Sequence, residues 1–240
     1  MMCRLCTWLC DRFCAPGVNS SELWRAIHDW EEDFASDWEP AEDGLRERWK
    51  EAEGLKAENP AAALAIYREL AEGGSAYSLL MAGCLYERGR GTEKEVAIAE
   101  EFYRRALCAG SWKATLRYAD LLFKRGARED GSSTLGDGVT KGFIPSFFWL
   151  AWYHYKHSPS RKTAREVRFL LEHAAEAGHP GARTMLARLT SLGKFGLREI
   201  PRGIRMVGAL VQSLIESESG DATAVKPAPA VRVVWKGGRL

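Results

Sequence analysis

One phrase recurs along the chain and limits what it can become. It reads Tyr67-Arg-Glu-Leu-Ala-Glu-Gly-Gly74, Tyr103-Arg-Arg-Ala-Leu-Cys-Ala-Gly110 and Leu171-Glu-His-Ala-Ala-Glu-Ala-Gly178. Each copy closes an apolar-periodic segment on a glycine, the residue that adopts the left-handed conformation ending a helix at least cost. Helix ends are therefore expected near residues 73, 109 and 177. A second phrase follows each glycine: Ala82-Gly-Cys-Leu-Tyr-Glu-Arg-Gly89, Ala119-Asp-Leu-Leu-Phe-Lys-Arg-Gly126, Leu150-Ala-Trp-Tyr-His-Tyr-Lys-His157 and Leu186-Ala-Arg-Leu-Thr-Ser-Leu-Gly193. Their first residues lie 37, 31 and 36 apart. Two helices per unit at such a period is the pattern of a helical solenoid. Small residues at Gly83, Ala151 and Ala187 let the paired helix approach closely, whereas Asp120 breaks that rule.

The 240 residues are 46% hydrophobic and 28% charged, with formal net charge +2. This excludes a collagen-like or wholly disordered chain. The longest apolar stretch, Gly142 to Tyr155, contains Pro145 and Ser146. It falls short of the roughly 20 residues needed to cross a hydrocarbon core. Asp11 and Arg12 interrupt any signal-peptide core, so cytoplasmic residence is expected.

The run Ala82-Gly-Cys-Leu-Tyr-Glu-Arg-Gly-Arg-Gly-Thr, followed by Ala99-Glu-Glu-Phe-Tyr-Arg-Arg-Ala and Ala109-Gly110, closely resembles the Sel1-like repeat, a relative of the tetratricopeptide repeat. The match is good over residues 75 to 110 and recognisable to about 217, and Gly89-Arg-Gly91 is its most specific part. The resemblance implies an all-α fold, an α-solenoid of antiparallel helix pairs wound into a right-handed superhelix whose curved face binds other proteins. It also implies contact positions on the first helix of each unit: Leu80, Cys84 and Glu87; Arg117, Leu121 and Lys124; Phe148, Trp152 and Tyr155; Thr184, Arg188 and Ser191. Of these, Arg117, Lys124, Phe148, Trp152, Tyr155 and Arg188 are the candidate partner-binding residues. The aromatic set either anchors a partner side chain or fills the core, and the core reading comes first.

The expected organisation is a cysteine- and tryptophan-containing segment over 1–39, a repeat domain over 40–218 and a carboxyl-terminal tail over 219–240. Four glycines between Gly131 and Gly142 argue for an irregular insert where a second helix should stand. Ala41 to Lys56 with Pro60 to Glu72 reads as a divergent helix pair, and Arg202 to Glu216 as an amphipathic closing helix. Trp24, Trp30, Trp38 and Trp49 punctuate residues 20 to 58, which hold thirteen acidic and five basic side chains. Aromatics at such spacing are expected to pack against a neighbouring helix. Residues 111 to 210 carry seventeen basic and eight acidic side chains. The asymmetry suits head-to-tail association or an acidic partner.

Cys3, Cys6, Cys10 and Cys14 share one helical stripe, but a rise of about 1.5 Å per residue spreads them over roughly 16 Å, too far for one zinc. A bent metal or redox segment and reversible lipidation remain alternatives to an apolar helix face. Cys84 and Cys108 read as structural. His154 and His157 lie three apart without an evident third ligand, and no hydrolase or phosphate-binding phrase occurs. The expectation is a noncatalytic scaffold or adaptor for a protein segment, with no cofactor, metal or catalytic residue and oligomeric state open. Nucleic-acid binding through the basic half is the alternative.

Overall fold

The structure, a computed structural model, describes residues 20–36, 42, 44–157 and 160–218. Cys3, Cys6, Cys10, Cys14, Trp38 and the segment 219–240 lie outside them. The described residues form eleven α-helices and one short 3₁₀ turn. The α-helices are α1 (Ser20–Ser36), α2 (Arg46–Glu58), α3 (Pro60–Glu72), α4 (Ala76–Arg88), α5 (Val96–Cys108), α6 (Trp112–Lys124), α7 (Arg128–Thr140), α8 (Ile144–His157), α9 (Arg161–Glu176), α10 (Pro180–Ser191) and α11 (Ile200–Glu218). No strand occurs among the described residues. Two compact units result, one of residues 35–135 and one joining the segment up to Phe34 with the chain from Gly136 onward.

The recurrent phrase works as a helix-to-helix joint. Gly74, Gly110 and Gly178 have φ of 88°, 93° and 93°, within two residues of the helix ends expected from the sequence. The next amide in each case reaches back five residues: Ser75 to the Leu70 carbonyl, Ser111 to Ala106 and His179 to Ala174, at 2.9 to 3.2 Å. That same residue then caps the following helix, as the Ser75 and Ser111 hydroxyls and the His179 ring accept from the amides of Ser78, Ala114 and Ala182. One short turn thus terminates one helix, starts the next and leaves the pair antiparallel.

In the unit of residues 35–135, α2 to α6 pack each against the next. The absent side chain of Gly83 admits the Tyr103 ring, whose atoms would stand 2.7 Å from an added Cβ. Tyr103 is fully buried and donates to Glu87 at 2.8 Å, while Tyr67 and Tyr77 both donate to Glu53. Trp49 packs on Tyr77 and donates to Ser78. The Gly89-Arg-Gly91 signature also has a physical cause. Gly91, at φ 77°, passes so close to the start of α3 that a Cβ would lie 2.4 Å from the Pro60 carbonyl carbon and the Ala61 nitrogen.

The glycine-rich stretch departs from expectation: it is helical, as α7. Gly131, Leu135, Gly138 and Gly142 are all buried and recur at helical spacing. Gly131 lies under the Phe123 ring, 2.6 Å from where a Cβ would be. At Gly131 the close approach of the Phe123 ring requires the missing side chain, which offsets a propensity cost of about 1 kcal/mol for a helical glycine. The expected irregular insert is therefore the second helix of its unit.

In the second unit α8, α9, α10 and α11 follow one another by the same adjacent packing. Gly203 in α11 lies against the Ser191 backbone, 2.1 Å from a hypothetical Cβ. No helix among the described residues is long and apolar enough to cross a membrane.

Gly91→Ala should combine left-handed strain with a clash against fixed backbone and destabilise the first unit by about 2 kcal/mol or more. Urea denaturation of the variant checks this. A loss below about 0.5 kcal/mol, the range of ordinary surface changes, would contradict the tight crossing.

Candidate functional site

The first helix of the second unit's repeats does not face open solvent along its length, because α1 lies on it. Its sequence places Leu23, Trp24, Ile27, Trp30, Glu31 and Phe34 on one stripe, with Glu22, Arg25, His28, Asp29 and Asp33 exposed on the other side. Trp24 stacks against Trp149 of α8 with centroids 6.0 Å apart. Ile27 is 3% exposed and seated over Gly181, where an added Cβ would meet Ile27 Cδ1 at 2.8 Å and Phe148 Cζ at 2.9 Å. Gly181 is thus the floor that lets α1 approach. Trp30 stacks on Phe34, which in turn meets Phe143.

A polar bracket sits within this apolar contact. The His179 ring is fully buried between Phe148, stacked at 4.4 Å, and Trp30, edge-on at 4.9 Å. Its Nδ1 accepts from the Ala182 amide at 3.2 Å, capping α10. That assigns the ring proton to Nε2, which donates to Glu31 Oε1 at 3.0 Å. The same carboxylate oxygen accepts from Trp149 Nε1 at 2.7 Å. One acidic residue of α1 therefore satisfies two donors, one from α8 and one from α10.

Phe148 and Trp152, two of the expected contact residues, come together with Leu23, Trp24, Ile27, Gly181, Thr184 and Met185 around a half-open void of about 40 Å³. That holds a few waters and is far below the size of a metabolite site. Phe148 is 3% exposed, so its ring is core on one side and floor of the α1 contact on the other. Trp152 is half-buried, with Lys156 Nζ 4.7 Å from its ring centre. Tyr155 and Arg188 are half-buried on the same two helices but do not line the void.

Arg117 and Lys124 belong to the other unit. Lys124 is held between Asp120 and Glu87, and Leu80, Cys84 and Leu121, expected on the contact stripe, are buried in that unit. Burial pushes the Glu87 carboxyl up, but hydrogen bonds from Lys124 and Tyr103 outweigh it and hold Glu87 below its ordinary value of 4.5. His154 lies 3.4 Å from Glu166, and His157 packs on Tyr153. Among the described residues no three His, Cys, Asp or Glu side chains gather where they could hold a metal ion.

Glu31, Trp149 and His179 were not singled out by sequence reasoning. A signal existed: His179 stands directly after the phrase's glycine, where the other two copies have Ser75 and Ser111. A ring at that cap can hold the helix start with one nitrogen and reach another element with the second. Charge also matches, since residues 20–34 hold five acidic and one basic side chain while residues 136–218 hold twelve basic and seven acidic.

Glu31→Ala should strip the acceptor from the two donors beneath α1 and weaken the docking of α1 by about 1 to 3 kcal/mol. Glu31→Gln, which keeps an acceptor oxygen, should cost less, and tryptophan fluorescence during denaturation reads both. Equal losses in the two variants would show that the oxygen is not what matters. In the other unit, the lowered Glu87 value contributes stability that is complete above about pH 4.5 and is lost as pH falls through the folded-state value. Glu87→Gln should flatten that part of the acid denaturation curve, as a pH series of denaturation midpoints would reveal.

No family model matches the sequence, and no curated protein matches it. Among solved structures, it is similar to a Sel1 repeat protein from Oxalobacter formigenes, with 19% identity and a TM-score of 0.52 over 62% of this chain and 64% of that one. The aligned part thus spans less than two thirds of that relative. A weaker likeness, at 13% identity and TM-score 0.37 over 74% of this chain and 47% of the other, is to c5321, a protective antigen of uropathogenic Escherichia coli strains displaying an SLR fold. Helices packed in consecutive pairs, glycine-closed joints and this structural likeness agree: the chain has the fold of the Sel1-like repeat proteins.

Proposed function

We propose that this protein is a noncatalytic interaction scaffold or adaptor, and that the face formed by α8 and α10 binds a helical segment of another protein. The observation that carries this reading is α1 itself: an amphipathic helix already lies on that face, with its aromatic stripe on Phe148, Trp149 and the Gly181 floor. Helix-in-groove recognition uses anchors at this helical spacing on a preformed surface, which lowers the ordering cost of binding. By the Sel1-like resemblance the same face is the concave one. Trp152 and Phe148 are the anchors of the reading, and Tyr155 and Arg188 flank them.

Capture from cell extract under reducing conditions tests it, comparing the intact chain with Trp152→Ala and Lys124→Gln after confirming unchanged melting. A protein whose recovery falls about tenfold or more with Trp152→Ala, and little with Lys124→Gln, is the expected result. Recovery of nucleic acid, lost with rising salt and insensitive to Trp152, would replace this reading with the nucleic-acid alternative.

A further inference from the structure

We infer that α1 is an exchangeable intramolecular ligand, and that the partner segment displacing it shares its chemistry. This inference rests on the scaffold reading above. The segment is an acidic amphipathic helix presenting an aromatic residue, an aliphatic residue three positions later, a second aromatic after three more and a carboxylate next to that. In α1 these are Trp24, Ile27, Trp30 and Glu31.

Several independent features separate α1 from the permanent core. Helices α8 to α11 approach their sequence neighbours closely along the backbone, whereas α1 joins no such pair and touches its groove through long side chains. On the inward face only Ile27 and, at the helix end, Ala35 are buried; the three aromatic residues are half-buried. The void beside them shows that the contact is not packed to core density.

The polar bracket favours exchange as well. The His179 cap on Ala182 lies within the α10 turn and does not require α1. The donors that α1 satisfies, His179 Nε2 and Trp149 Nε1, face the groove and would meet water once α1 left. Departure therefore opens a hydrated surface without leaving an orphaned polar group. Charge selects the kind of occupant, because the helices beneath α1 belong to a basic segment and α1 is acidic. A partner must outcompete a tethered helix whose effective concentration is on the order of millimolar, so the tether sets a threshold for binding.

The test uses the full chain and a fluorescent peptide of residues 20–36. Ile27→Asp in the chain should release α1 while leaving the groove intact, and peptide affinity should rise at least about tenfold by anisotropy. Adding Gly181→Ala, which raises the groove floor, should erase the gain. Affinity no higher in Ile27→Asp than in the intact chain overturns the inference, as does global unfolding of that variant. Hydrogen exchange on the unaltered chain supplies a second measurement. The α1 amides should exchange at least about tenfold faster than those of α8 and α10, and faster still with excess unlabelled peptide.

Equal protection in all three helices overturns the inference. So does a concentration-dependent dimer with α1 traded between copies, which would assign the groove to a second chain. Failure here with Trp152-dependent capture intact removes only the exchange. Exchange without any Trp152-dependent protein removes the scaffold reading.

Discussion

Everything in this chain hangs on a turn that does two jobs with adjacent residues. A glycine with positive φ lets the backbone fold back on the helix it ends, and its successor caps the helix that follows. Neither half would suffice alone. Without glycine the left-handed residue is strained, and without the cap the next helix begins with unsatisfied amides. Because the joint is local, it can be repeated, and each repetition buries one more helix against its predecessor.

The second unit shows how a repeat acquires a specific surface without changing its frame. Replacing serine by histidine at the cap keeps the acceptor that α10 needs and adds a donor on the far side of the ring. That donor, together with the Trp149 indole, meets the Glu31 carboxylate within an otherwise apolar contact. Gly181 supplies the complementary feature, a low floor that accepts Ile27. A helix lacking either the aliphatic residue or the acid would leave part of this surface unsatisfied. The seat of α1 is built from one cap and one missing side chain.

Much of the frame was legible because its causes are local. Gly74, Gly110 and Gly178 end helices near the expected places, Pro60 starts α3, and the amphipathic closing helix covers the expected residues with a few more at each end. Trp24, Trp30 and Trp49 pack against neighbouring helices, as their spacing suggested. The glycine-rich stretch was misjudged because propensity counts what a residue costs in isolation. It does not count what a missing side chain admits, such as the Phe123 ring at Gly131. Arg117 and Lys124, which the resemblance places at contact positions, stand in the other unit, where Glu87 and Asp120 hold Lys124.

What the sequence determined by itself is the helical repeat: its joints, period and helical class follow from glycines, caps and apolar spacing within a few tens of residues. What only the tertiary structure decided is the use of one face. Glu31 and His179 stand 148 positions apart, and no local pattern states that they share a hydrogen bond. The acidic helix and the basic repeats were visible separately as opposite charge, but charge acts at a distance without specifying a seat. The seat is defined by shape, through Gly181 under Ile27 and His179 between Phe148 and Trp30. Shape of that kind exists only once helices distant in sequence have packed.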